Sequence, residues 1–544
     1  MTTADPGARF DVAVLGTHLA GSLLAAVLAR HGVRVLLVDA PPDPGEFAGE
    51  TTVPYTAEVF FTLARRFDMP ELAAFGLTSA LPSQVRRSSG VKRSLGFVYH
   101  RPGREQAPEQ AVQFNVPGEH AEWHPYRPHV DQHAFTIALA YGARAVPHRS
   151  PLADVRVGER GVDVLVGDGS LYHAGFVVDG SGAGSPLVRR LEAEDAEPRL
   201  RSRSRVLATH MHGVTPFEDC VRLEDYGRAT PWSKGTLSHL FPGGWLQVAH
   251  FDNGEDPVNP LASVVLSVDP ARFADLPAGP EDAFREVIGR FPSLARSFTR
   301  AGAARPWTSA RLWQRTAGQT AGDRWFLYDR TVSRNDLFLS RDVTMGAEMV
   351  HALAPVLIEA ARGDDWPARR LRRVALFQDR LVDFNDRLLQ AARTATADFR
   401  LWNAYSRVWL LWSMLSALSL KSARNHCLAT SRWDDVERDR DDAFWFTPPA
   451  GLPELLERVF GLFAEVDGGT RSAGSAATEI FALLRRAPFV PPVYRFADPG
   501  ARYYHFSTAR RLRMLVWSKT TAPAEFRTMM TKENITNVRP PAVH

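Results

Sequence analysis

"FDVAVLGTHLAGSLLAAVLARHGVRVLLVDA", residues 10–40, is the stretch that decides the fold. It opens with a nearly continuous apolar run, the pattern of a strand covered on both faces. A turn at Gly16 follows, then an apolar helical segment stopping at Gly32, then a second apolar strand ending at Asp39. Strand, tight turn, helix and strand open a doubly wound α/β sheet, which holds a nucleotide at the turn after its first strand. The turn reads Gly16-Thr17-His18-Leu19-Ala20-Gly21, with the first and last glycines of G-x-G-x-x-G and His18 at the middle one. Gly16 permits the turn, Gly21 lets helix pack on strand, and the free N–H groups of residues 19–21 can hold a pyrophosphate. Asp39 is placed to accept from a ribose hydroxyl. The Cβ of His18 crowds the ligand, so the loop alone leaves open an α/β fold that has lost its nucleotide.

The remaining composition bounds the class. The chain has 544 residues, 45% hydrophobic and 23% charged, enough for one large core with additions or for two to three domains. A net charge of +4 is spread along the chain without a run of one sign, so nucleic acid is not implied. Two cysteines, Cys220 and Cys427, are too few for a disulfide framework, and the first residues lack signal-peptide blocks, so the expected compartment is the cytoplasm. The uncharged stretch Val408 to Leu420 is too short to span a bilayer, and no stable membrane insertion is expected. Asn534-Ile535-Thr536 is a sequon without a secretory route, and the tail from Asn537 is a polar, proline-containing end.

Beyond the opening, alternating strands with a Gly-Asp-Gly hairpin occupy residues 153–182, and from Trp366 the pattern turns mostly helical. "FVVDGSGAGS" puts Asp179 and a glycine-rich turn after an apolar strand, and "TAGDRWFL" puts Gly322-Asp323 before another. These are positions at which flavoproteins of the two-dinucleotide type make further contacts, and the separated segments together favour FAD over a lone NAD fold. His120/His124 and His129/His133 have the spacing of a metal pair on one helix, but prolines interrupt the segment between them, and no metal is expected. Neither G-x-S-x-G nor a Walker loop is present.

Collinear segments carry a more specific signal: "GETTVPYTAEVFFTLARRFDMPEL" (49–72), "SSGVKRSLGFVYHRPG" (88–103), "PWSKGTLSHLFPGGW" (231–245), "NPLASVVLSVDP" (259–270), "GDRWFL" (322–327) and "DLFLSRD" (336–342). With these the chain resembles the flavin-dependent halogenases, in the branch acting on phenols, polyketides such as tetracyclines, and carrier-bound aromatics. The likeness runs from residue 10 to at least residue 425. It implies that reduced FAD, oxygen and halide give hypohalous acid, which reaches a lysine beside the substrate. By the match of "GVKRSLGF" that lysine is Lys92. "YRPHVDQHAF" resembles the family segment in which an arginine precedes a helix near the cofactor, which adds Arg127 to the FAD set. The remaining expected FAD contacts are Gly16, His18, Gly21, Asp39, Asp179, Asp323, Arg334 and Ser340.

Two stretches depart from the family. Where it has W-x-W-x-I-P, a rigid aromatic wall between flavin and substrate, this chain has Trp245-Leu246-Gln247-Val248-Ala249-His250. An amide replaces an indole, which makes Gln247 and His250 candidate catalytic groups beside Lys92. Where the family has His-Ala-Ala-Gly-Phe-Ile-Asp-Pro near the flavin ring, this chain has "RTVSRNDL" (330–337), with Ser333, Arg334 and Leu337 for glycine, an aromatic residue and proline. Arg330 and Arg334 are suited to an anionic flavin or a substrate carboxylate, or to solvent. Asp342 stands where many relatives have glycine.

The expected architecture is an α/β FAD-binding fold of the two-dinucleotide type over residues 10–365, interleaved with an antiparallel substrate sheet at roughly 85–125 and 200–315, then a mostly helical region over 366–544. The leading function is FADH2- and O2-dependent halogenation of an aromatic or polyketide intermediate of natural-product biosynthesis through Lys92. The alternatives are a halide-independent flavin monooxygenase or dehydrogenase, and a non-redox cyclase or isomerase in which FAD is structural or absent. The expected partners are a large aromatic or polyketide-like molecule, free or carried on a protein, and a separate flavin reductase. Trp409, Trp412 and Met414 fit either core packing at helical spacing or the lining for such a substrate.

Overall fold

A computed structural model describes residues 3–39, 49–116, 122–147, 150–195, 197, 199–433, 444–505 and 507–529. His120 and the tail from Asn537 lie outside the described residues. The strands that position the site are β1 (Arg9–Leu15), β2 (Val35–Val38), β3 (Ser94–Tyr99), β4 (Ala111–Asn115), β5 (Leu171–Asp179), β6 (Arg205–His212), β7 (Thr236–Phe241), β8 (Gly244–His250), β9 (Ala262–Val268) and β10 (Trp325–Leu327). The helices are α1 (Leu19–Arg30), α2 (Pro54–Arg66), α3 (Arg127–Ala140), α4 (Asp342–Gly363), α5 (Ala368–Ala395) and α6 (Phe399–Thr430).

The first sheet has the order expected of a nucleotide fold. β1 lies between β2 and β5, with β10 outside β5, all parallel. Register brings Leu15 opposite both Val38 and Asp179, and Asp179 opposite Leu327, so the carboxyl ends of the four strands form one edge. Ligands of open α/β sheets bind outside that edge. All four residues of β2 are buried, and so are Leu19 to Leu28 of α1, which is why both segments read as unbroken apolar runs. α1 packs against α3 and α4.

The second sheet is mostly antiparallel, in the order β6, β9, β8, β7, β3, β4, with β3 and β7 parallel to each other. Its alternation sorts two faces. Leu95 and Phe97 of β3, Leu240 of β7, Trp245 of β8 and Val265 of β9 join the core shared with the helices. Leu246, Val248 and Leu266 face the opposite way, onto helices Pro280–Gly289 and Pro292–Ser297.

The chain after residue 366 is helical for long stretches, and α6 lies against α2 and α5. It is not helical throughout: Tyr503–Tyr504 adds a short strand beside β4, and Phe114 stacks on Tyr504 at 4.7 Å. The stretch from Phe338 to Gly363, containing α4, is long and apolar enough by composition to cross a membrane, and 72% of its apolar window is buried inside the protein. Its hydrophobicity serves the contacts with α1, α2 and α5.

Candidate active site

At the carboxyl edge of the first sheet, the loop after β1 keeps the geometry its glycines require. Gly16 has φ +98°, and a Cβ there would lie 2.8 Å from the Gly180 carbonyl; a Cβ on Gly21 would lie 2.1 Å from the Gly16 carbonyl. His18 is accommodated by an extended backbone, φ −67° and ψ 177°. Its ring turns onto the sheet, with Nε2 2.6 Å from the Gly180 carbonyl and Nδ1 3.8 Å from Asp329. Asp39 accepts a hydrogen bond from the Thr17 hydroxyl on Oδ1.

Two of the expected FAD contacts are corrected by the sheet. Asp179 is fully buried, and its carboxylate is occupied by Ser181 N and Oγ and by Ser185 Oγ. It holds the turn after β5 and presents nothing to a ligand; burial raises its pKa, with those hydrogen bonds acting against the rise. Asp323 precedes β10, at the opposite edge from the nucleotide, and is exposed, accepting the Ala368 N–H at 2.7 Å at the start of α5. The acid at the carboxyl end of β10 is Asp329, with φ +52°, two residues beyond Leu327 and beside His18. The sequence reading missed it because Gly-Asp was sought before the strand, whereas a parallel sheet offers its ligand-facing residues after it.

A cleft opens between Leu19, Ala20 and Leu23 of α1, Arg127, and Asp329, Arg330, Asp342 and Val343. Asp329, Arg330 and Asp342 also line a larger adjoining cleft that reaches Arg334, Leu337 and Met349. Arg127 begins α3, is buried, and is held by a two-bond contact with Asp131 at 2.7 and 3.0 Å. The α1 amino end, Arg127 and Arg330 suit a pyrophosphate, and the glycine contacts leave no room for side chains in the cradle, so the residues present fit FAD. Asp342 lies 3.8 Å from Arg330; burial raises its carboxyl to about 6, with Arg330 acting against the rise.

The segment from Ser333 to Asp342 closes this space. Arg334 lines it, but its guanidinium lies 4.3 Å over the Trp313 ring and Nε donates to the Trp313 carbonyl, so the charge is held against the wall. Leu339 and Ser340 have φ +65° and +59°, a strained pair just before α4. The Ser340 hydroxyl meets that of Thr51, tying the bend to the Gly-Glu-Thr-Thr segment. Glu50 of that segment bonds His210 at 2.6 Å and the Arg127 N–H at 3.1 Å.

Lys92 stands beside the second sheet. Gly90–Val91 pairs with Trp123–His124, which places Lys92 next to Glu122. The ammonium lies 2.9 Å from Glu122 Oε2 and donates to the Thr52 carbonyl, and both side chains are almost wholly buried, 0% and 4% exposed. Burial raises the Glu122 pKa, with Lys92 opposing. His124 follows, bonded to Thr236 Oγ1 at 2.9 Å. Glu122 was not among the sequence candidates; its only signal was an acid next to the apolar Trp123, and the pairing with Lys92 is long-range.

Gln247 shares the face of Trp245 and Phe97, with Nε2 3.5 Å from Ser238 Oγ. His250 does not join this face. Strand alternation puts it with Leu246 and Val248, and its Nδ1 lies 3.4 Å from Asp252, so the structure does not bring it together with Gln247 as the sequence pattern suggests. The aromatic surface that Gln247 interrupts is continued from elsewhere in the chain. Trp245 stacks on Phe338 at 4.5 Å, Phe338 meets Trp402 of α6 at 5.4 Å, and Trp402 meets Phe97 at 4.9 Å. Among the described residues no group of three or more His, Cys, Asp or Glu side chains is arranged to hold a metal ion.

A parallel sheet with a glycine cradle, joined to a second sheet with a helical cover, is the arrangement of an FAD-dependent oxidoreductase. The halogenase PltM, solved in complex with FAD and with phloroglucinol and FAD, superposes with a TM-score of 0.84 at 26% identity, covering 91% of this chain and 99% of that one. The chain is 31% identical over 531 residues to monodechloroaminopyrrolnitrin halogenase PrnC of Pseudomonas fluorescens, over 95% of this chain and 93% of that protein. It is 29% identical to tetracycline 7-halogenase of Kitasatospora aureofaciens, over 97% of both. No family model matches. The chain belongs to the flavin-dependent halogenases.

Proposed function

We propose that this protein halogenates an electron-rich aromatic or polyketide-derived ring through Lys92, using FADH2 from a separate flavin reductase. The observation that carries the reading is the buried Lys92–Glu122 pair, next to His124, which is bonded to Thr236 of β7. FAD would be held by the α1 amino end, Gly16, Gly21, Arg127, Arg330 and Asp329, with Asp39 toward the ribose. When bound and reduced, it supplies the electrons that turn oxygen and halide into hypohalous acid. The net reaction consumes FADH2, O2, halide, one proton and an aromatic C–H, and yields FAD, the carbon–halogen bond and two waters.

Lys92 offers three N–H groups, of which Glu122 and the Thr52 carbonyl take two; the third is available to hold and polarise hypohalous acid. Glu122 fixes the ammonium in place, and its raised pKa fits it to take the proton that leaves the ring carbon at Oε1 or Oε2. Trp245, Phe338 and Trp402 keep the ring from the flavin edge, which supports halogenation over direct oxygen transfer despite Gln247. PltM is solved with phloroglucinol, which makes that compound the first probe. The test is incubation with FAD, an unrelated flavin reductase, oxygen and phloroglucinol, with and without bromide. Bromide-dependent brominated product is expected; an oxidised product formed equally without bromide overturns the reading.

A further inference from the structure

Arg341, between the strained Ser340 and α4, is a buried cation with only part of its hydrogen-bonding capacity used. Its side chain is 2% exposed and Nη2 donates to Glu348 at 3.0 Å, while Nε and Nη1 have no partner among the described residues. Glu348 is also committed elsewhere, accepting from the Tyr55 hydroxyl at 2.6 Å, and that hydroxyl accepts from Trp445 Nε1 at 2.9 Å. The ion pair is thus fixed through Glu348, and Nε and Nη1 of the guanidinium stay uncommitted among the described residues. The guanidinium lies 5.1 Å from the Trp412 ring centroid and 5.6 Å from that of Tyr55, and the Trp412 indole N–H is likewise buried and unpaired. Three unmatched donors therefore sit on one stacked pair of side chains. An orphan buried donor is costly, and a guanidinium edge matches the two oxygens of a carboxylate.

Along the chain the cluster neighbours residues of the reacting centre. Tyr55 lies three residues beyond Thr52, whose carbonyl accepts from Lys92, and Ser340, next to Arg341, touches Thr51. Trp412 stands on α6 ten residues after Trp402, which meets Phe338. The indole N–H groups of Trp402 and Trp409, on the same helix, are also buried and have no partner among the described residues.

We propose that Arg341 and Trp412 form a subsite that receives an anionic oxygen group of the substrate, a ring carboxylate or the equivalent ionised phenol or enol. This deepens the halogenase reading by making an acidic group on the ring a determinant of specificity. It rests on that reading only in taking the ligand to be the substrate, because binding can be measured without turnover. The probes are salicylate and its neutral isostere salicylamide, titrated calorimetrically into the FAD-loaded protein. One charge-assisted hydrogen bond gained by the acid corresponds to about tenfold tighter binding of salicylate. Arg341→Met combined with Glu348→Gln, which removes both charges together, brings the two ligands to within about twofold, the residue of ring contacts alone. Trp412→Phe keeps the ring under the guanidinium and removes only the N–H, weakening salicylate by about fivefold; it decides the matter if the double variant does not fold. Equal binding of acid and amide by the native protein, no saturable binding of salicylate, or a preference untouched by these variants overturns the subsite. Loss of bromination with the preference retained sinks the halogenase reading and leaves the subsite standing.

Discussion

Glu122→Gln tests the centre most directly, because it keeps the shape of the side chain and removes only its charge. The carboxylate lies 2.9 Å from the Lys92 ammonium, and neither side chain has access to water that could replace the contact. A hydrogen bond to a charged group contributes about 1.5–3 kcal/mol, so an ammonium left with the Thr52 carbonyl and a neutral amide, with no carboxylate to take the ring proton, should brominate about 10- to 100-fold more slowly. Lys92→Met should lose about 100-fold or more, the range for removal of a positioned acid or base. If the two act as one unit, the double variant is no slower than Lys92→Met alone.

The assay is brominated phloroglucinol by mass spectrometry, with FADH2 oxidation followed in the same vessel. Neither residue lines the cofactor cavity, so flavin oxidation should continue while product falls. Stability must be read beside activity. Glu122→Gln strands a buried ammonium at a cost of about 3–5 kcal/mol, whereas Lys92→Met leaves a carboxyl that burial already favours in its neutral form, and it should unfold at higher urea than Glu122→Gln. Full bromination by folded Glu122→Gln would refute the coupling, and full bromination by Lys92→Met would remove Lys92 from the mechanism.

Other consequences are independent of that pair. Gly21→Val, which places side-chain atoms where a Cβ already comes within 2.1 Å of the Gly16 carbonyl, should weaken FAD by about tenfold or more in a fluorescence titration; unchanged affinity would move the cofactor elsewhere. Asp342 is neutral below about 6 and ionised above it, beside the expected pyrophosphate, so FAD should bind up to about tenfold more weakly at pH 8 than at pH 5. Asp342→Asn should flatten that profile, and an identical slope in the variant would rule the residue out. His100 and His124 are buried with pKa values lowered to about 3, chiefly by desolvation, so each contributes stability that is complete above about 6.5 and is lost as pH falls toward 3. Between pH 6 and 5 the pair should cost about 2–3 kcal/mol, read as a falling urea midpoint; a constant midpoint would contradict it. Trp402→Leu should lower the ratio of brominated product to FADH2 consumed by about threefold by opening the aromatic screen beside Phe338, and an unchanged ratio would show that the screen lies elsewhere.

Local physics made the nucleotide end of the molecule legible. Gly16 and Gly21 are fixed by contacts within a few residues or one strand away, and the apolar runs of β1, β2 and α1 follow from burial on both sides. Asp179 was found at the right turn and given the wrong work, because a sequence shows an acid after a strand without showing that two serines and a backbone N–H consume it. Asp323 was misplaced by one strand length. What could not be read is what depends on pairing across long intervals. Lys92 meets Glu122 only because a two-residue ladder joins Val91 to Trp123, and the Tyr503–Tyr504 strand joins β4 from almost four hundred residues away. The same limit governs the altered tryptophan motif. Gln247 looks like the loss of a wall when the motif is read along the chain. In space, Trp245 rests on Phe338, Phe338 meets Trp402, and Trp402 closes on Phe97, so the surface comes from four separate segments. A motif records which residues once did a job in succession; the barrier needs only that enough aromatic area lie between two ligands. Gln247 therefore places an amide on the face those rings share, with Ser238, 3.5 Å from it, as its polar neighbour.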